Sequence, residues 1–232
     1  MLDRVRRMSD PSAVEDRHGV VTRSANSNDR RSCVATCTVE LVWIPLGAGQ
    51  HVVRISGRVF EALAALMQRR PSCDLYHSAL IVTVPDGRYV VEMTPVVAQR
   101  GEDRGVVAGG AVGSRWLGGL RVFRYEIHRW HDGVIPDADR AAAVTTLQFG
   151  LADAQRLLDF VPTVPTPVWG RDELDAGEMW NSNSVTSWIL HRSGVDTTHL
   201  APPDGGRAPG WDAGVVVAAR NGNGGASTSS SP

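Results

Sequence analysis

Hydrophobic positions in this chain recur with two periods, one near two residues and one near three and a half, broken by clusters of Gly, Pro, Ser and Asn. Thr36 to Leu46 (TCTVELVWIPL) and His51 to Ser56 (HVVRIS) read as strands joined across Gly47 and Gly49. Ser56 can cap a helix over GRVFEALAALMQRR, where Val59, Leu63, Leu66 and Met67 recur at helical spacing. In YHSALIVTVPDGRYVVEMTP, two β-branched runs flank Pro85, Asp86 and Gly87, which predicts an antiparallel hairpin. GVVAGGAVGSRWLGGL reads as a flexible loop, because it lacks the Lys and the G-K-[ST] ending of a phosphate cradle. RVFRYEIHRW alternates as a strand, and LADAQRLLDFV reads as a short helix stopped by Pro162, Pro165 and Pro167. After that Pro-rich linker and WGRDELDAGE, the stretch MWNSNSVTSWIL opens a helix that runs to about Ser193 and ends at Gly194. Gly214 to Ala219 (GVVVAA) reads as a buried strand, and no internal repeat is present.

The pattern stops at both ends. Residues 1–32 are rich in Arg, Asp, Ser and Asn without hydrophobic periodicity, and residues 221–232 are low-complexity Gly, Ser and Asn, so both are expected to be disordered tails. Residues 33–220 are expected to form a single α+β domain, an antiparallel sheet with helices packed to one side. Hydrophobic residues at 42% and charged residues at 21% fit an ordinary soluble protein. A net charge of -1 gives no electrostatic reason to expect a nucleic-acid partner or a membrane surface. All 24 basic residues are Arg, which is read as coding bias and carries no function. The N-terminus lacks the apolar core of a signal peptide and no apolar run reaches the ~18 residues of a span, so a cytoplasmic protein is expected. Cys33, Cys37 and Cys73 are too few and too irregularly spaced for a disulfide framework. Joined to His77 they would make a zinc set of unusual spacing, and no metal or organic cofactor is expected.

Three positions invite chemistry. His77 stands near the start of an apolar strand, and Glu92 is the only carboxylate in the apolar strand across the Pro85 to Gly87 turn. A buried carboxylate needs a partner, and a histidine on the adjacent strand supplies one. The two read as the base and orienter of a hydrolase, with a structural pair or an exposed edge Glu as the readings that spacing alone supports nearly as well. Ser182 falls at a helix N-terminus, where the helix dipole and free N–H groups favour a nucleophile and its oxyanion. The same four residues, Asn181 to Ser184, also suffice as a plain helix cap, and Ser184 is a second candidate nucleophile. Cys73 lies four residues before His77 and reads as a buried or loop thiol. His128, His131 and Asp132 suit no common metal spacing and read as a solvated strand end. Trp169, Trp180, Trp188 and Trp211 read as core, with Trp180 also placed to wall a substrate groove.

The order YHSALIV, a turn, a polar residue in the next strand and a much later N-S-N-S-V-T helix start resembles the circularly permuted papain-like proteins. These include the lecithin retinol acyltransferase group, the PPPDE-type peptidases and permuted relatives of the NlpC-type cell-wall peptidases. The resemblance implies a permuted papain-like fold and an acyl-enzyme hydrolase or acyltransferase acting on an amide or ester bond. Ser182 would be the nucleophile, His77 the base and Glu92 its orienter, with Asn181 or Asn183 as oxyanion donors. The substrate would be a small molecule, a peptide or a lipid. Relatives carry cysteine in sequences like N-C-E-H-F or N-C-N-H-F, and a thiolate is far more nucleophilic than an unactivated hydroxyl. The serine here therefore implies either an active His–Glu base or an inactive member that keeps a groove and binds a peptide, lipid or protein.

Overall fold

The computed structural model describes residues 36–46, 74–96, 104–135 and 138–223, all within the unit Val34–Pro232. The expected strand over His51 to Ser56, the helix after it, Cys33, Cys73, the N-terminal tail and residues 224–232 lie outside the described residues, whereas Asn221 to Asn223, expected to open the C-terminal tail, end a helix.

Among the described residues six strands form one antiparallel sheet: β1 (Thr36–Pro45), β2 (Tyr76–Val84), β3 (Gly87–Pro95), β4 (Val106–Ala111), β5 (Arg124–His131) and β6 (Ala143–Gly150), in the order β4-β5-β3-β2-β1-β6. Among the described residues three α-helices follow: α1 (Leu151–Phe160), α2 (Ser182–Arg192) and α3 (Trp211–Asn223). The hairpin forms where Pro85 and Asp86 turn β2 into β3, with Val84 opposite Gly87. β1 lies one strand in from the edge, pairing with β2 on one side and the edge strand β6 on the other.

Side chains of a strand alternate between faces, and here each face has its own core. The first contains Cys37, Val39, Leu41 and Trp43 of β1 with Tyr76, Leu80, Val82 and Val84 of β2, packed with Leu157, Val185, Trp188 and Ile189 of the helices. This is the helix face. The second contains Val42 and Ile44 of β1, Ala79 and Ile81 of β2, Val90 of β3 and Ile135, which define the far face. α1 presents Ala154, Leu157 and Leu158 to the helix face at helical spacing and ends into a 3-10 turn holding Pro162.

The structure corrects two expectations and adds one strand. GVVVAA is part of α3, because Ala213, Gly214, Val217 and Ala218 are buried at a helical interval and lie along α2, which outweighs the β preference of three consecutive valines. The glycine-rich segment is partly a strand, β4, since a side chain at Gly109 or Gly110 would collide with the carbonyl or ring of Tyr125 on β5. AVTTLQFG, which the sequence reading passes over, forms the edge strand β6, with half-buried and exposed residues alternating from Ala143 to Gln148.

Candidate functional site

The cluster Asn181 to Ser184 joins α2 to its surroundings. Asn181 caps the helix: its Oδ1 accepts from the N–H groups of Asn183 (2.9 Å) and Ser184 (3.4 Å), while Ser184 Oγ accepts from the Asn181 N–H at 3.1 Å. That reciprocal pair is a capping box built from Asn and Ser. Asn183, 1% exposed, reaches the sheet: its Oδ1 accepts from Ser78 Oγ at 2.9 Å and its Nδ2 donates to the carbonyls of Tyr76 and Pro209, both at 3.0 Å. Asn181 Nδ2 also donates to Pro209 O at 2.7 Å, Ser184 Oγ to Gly210 O at 2.7 Å, and Ser187 Oγ to Trp211 O at 2.7 Å. The polar side chains from Asn181 to Ser187 thus fasten the start of α3 to α2 and α2 to β2. Ser182, buried at 7% exposure, makes none of these bonds.

The bond between Ser78 and Asn183 fixes which way β2 faces. Ser78 points to α2, so His77, its neighbour along the strand, points to the far face, where its Cα partner is Ile44. The sheet therefore stands between His77 and Ser182. Glu92 is on the far face with Val90, in register with His128 of β5 and on the diagonal from His77. The structure brings His77 and Glu92 to one face and Ser182 to the other. No other described imidazole replaces His77. His191 lies nine residues along α2 from Ser182, about 13 Å at the helical rise of ~1.5 Å per residue. His131 sits at the hairpin end of the sheet opposite Tyr89, and His199 is exposed on a loop.

His128 is a buried histidine, not part of a solvated strand end. Its Nδ1 donates to Arg104 O at 3.3 Å, and in the neutral ring Nε2 then accepts from Thr94 Oγ1 at 3.2 Å, with Glu126 3.9 Å away. Burial holds its imidazole below the usual histidine range, only partly offset by the Arg104 carbonyl. The unfolded chain therefore takes up this proton at a higher pH than the folded one. Its contribution to stability is full above the unfolded pKa of about 6.5 and is lost as pH falls toward the folded value. We expect the urea midpoint to drop from about pH 7.5 to about pH 5 by less in His128→Gln than in the wild type.

Cys37 is a buried thiol outside any disulfide, on the helix face and opposite in face to His77, and no group of metal-ligating side chains occurs among the described residues. Trp180 is 2% exposed within the core and does not line the cleft that forms beside Trp211. Trp211 does. It stacks on Trp43 at 5.0 Å and lines a cleft of about 310 Å³ with Glu178, Thr197, Thr198, Leu200, Arg207 and Asp212 among others. Glu178 Oε2 accepts from the Gly210 N–H at 2.7 Å and its other oxygen lies 4.0 Å from Arg207. The sequence signal for this cleft was the length of the connection from residue 193 to 210, since loops beyond ~12–15 residues in a compact domain usually have a function of their own.

Comparison with known protein families, curated proteins and solved structures finds no match. Among the described residues no helix is long and apolar enough to cross a membrane.

Proposed function

We propose that this chain is a non-catalytic binding domain of the permuted papain-like kind, and that its cleft takes a peptide or small polar ligand. The observation that supports this best is the hydrogen bond from Ser78 to Asn183, which sends His77 to the other side of the sheet from Ser182. A serine hydroxyl without a general base is a poor nucleophile, so Ser182 at the helix start does not form an acyl-enzyme. The polar cluster around it instead holds Pro209, Gly210 and Trp211 in place, and of these Trp211 lines the cleft. Two carboxylates, Glu178 and Asp212, outnumber the single guanidinium of Arg207, and the indole of Trp211 offers an apolar surface. That lining favours a basic peptide or a small cationic ligand over an anion.

The catalytic alternative is tested with a fluorophosphonate probe on the wild type and Ser182→Ala. Neither protein is expected to label; Ser182-dependent labelling would overturn the non-catalytic reading. The cleft is tested by thermal denaturation in the presence of capped tripeptides, one pool containing Lys and Arg and one containing Asp and Glu. A rise in Tm with the basic pool that is reduced in Asp212→Asn is the expected result. No rise with either pool would count against the cleft as the binding site.

A further inference from the structure

The connection between β4 and β5 is built unlike the rest of the chain. It folds as two 3-10 turns, Arg115–Gly119 and Arg121–Phe123, and neither contains a buried residue. Within nine positions it displays Trp116 at 95% exposure, Leu117 at 39%, Leu120 at 57%, Val122 at 71% and Phe123 at 37%. Scattered exposed apolar residues are ordinary, but five within one segment of nine residues concentrate apolar surface in the way that marks an interaction site.

The patch is held rigidly. Arg115 makes a two-pronged bond to Glu173 at 2.9 and 3.0 Å, and the backbone at Ala111 and Gly113 pairs with Trp169 on either side of Val112. Val112 in turn donates its N–H to the Phe123 carbonyl at 2.8 Å. These contacts fix both ends of the segment while its apolar side chains project outward. The charges beside it are unbalanced. Glu173 is taken up by Arg115, whereas exposed Arg121 and Arg124 have no ion-pair partner among the described residues. The net charge of -1 for the whole chain conceals this local excess of positive charge.

We propose that this segment docks the protein on an anionic membrane surface, with Trp116, Leu120 and Val122 entering the headgroup region and Arg121 and Arg124 facing the lipid phosphates. A projecting apolar tip needs a matching hollow on a protein partner, but a lipid interface accepts it without one. Indole rings settle at that interface, and free basic residues are attracted to anionic headgroups. The proposal is independent of the cleft, and either can fail alone.

The test is co-sedimentation of the full chain with vesicles of phosphatidylcholine alone and of equal parts phosphatidylcholine and phosphatidylglycerol. Binding is expected with the mixed vesicles, weakened by salt, and about tenfold weaker with neutral ones. The double variant Arg121→Glu, Arg124→Glu is expected to lose the preference for anionic lipid. Trp116→Ser with Val122→Ser is expected to weaken binding on the order of tenfold while leaving the urea midpoint unchanged, because neither side chain is in the core. The proposal is overturned if the wild type does not sediment with mixed vesicles, or if both variants sediment as the wild type does. It is also overturned if size-exclusion chromatography shows a dimer that Trp116→Ser disperses, since the patch would then face a second copy of the chain.

Discussion

Asn183→Ala is expected to destabilise the protein by about 3–4 kcal/mol, read as a lowered urea midpoint at unchanged slope. Asn183 contributes three side-chain hydrogen bonds, to Ser78, Tyr76 and Pro209, from a position 1% exposed. Each is worth roughly 1 kcal/mol net, and the loss leaves the fully buried Ser78 hydroxyl without its acceptor, which adds a desolvation cost. Against a total stability of about 5–15 kcal/mol this is a large share. Ser182→Ala, one position earlier, is expected to change stability by less than about 0.5 kcal/mol, because that side chain makes no hydrogen bond in the cluster. Equal losses in the two variants would show that the cluster does not work as described.

Gly214→Ala is expected to cost about 2–3 kcal/mol even though the substitution improves helix propensity. Alanine within a helix gains roughly 0.5–1 kcal/mol over glycine, and on that ground alone the variant would be more stable. Here α3 crosses α2 so closely that a methyl at Gly214 would overlap the Ser184 carbonyl and the Ser187 hydroxyl. The carbonyl belongs to a helix backbone and cannot rotate away, so the helices must separate, and overpacking of this kind costs about 1–3 kcal/mol or more. The same displacement would stretch the Ser187 bond to Trp211 O. Thermal denaturation is the measurement, and a Tm equal to or above the wild type would mean that the two helices are not in this contact.

The elements that could be read from the sequence are those whose local chemistry and tertiary role agree. Pro85, Asp86 and Gly87 between two β-branched runs specify the hairpin, and Asn181 with Ser184 before an apolar helix specifies a start that the structure places at Ser182. α3 was misread because three valines favour a strand locally, whereas the close approach of α2 at Gly214 acts only once the chain is folded. The candidate site depended on something finer, the phase of β2. Its residues are buried on both faces for most of its length, so the apolar run YHSALIVTV contains no alternation to show whether His77 or Ser78 faces the helices. A shift of one residue separates a histidine beside Ser182 from a histidine behind the sheet. The Ser78 bond to Asn183 decides it, and its partner lies more than a hundred positions away in the chain.

The position of β1 bears on how the chain leaves the ribosome. It is the first described strand to be made, and one of its two neighbours, β6, ends at Gly150. At about 5–20 residues per second the interval between them is on the order of ten seconds. Once β2 and β3 have been made, β2 can close on one edge of β1, while its other edge, with the run Leu41 to Ile44, stays open to pairing with another nascent chain until β6 follows. The order of strands in the sheet thus makes yield in the cell depend on how fast the middle of the message is translated.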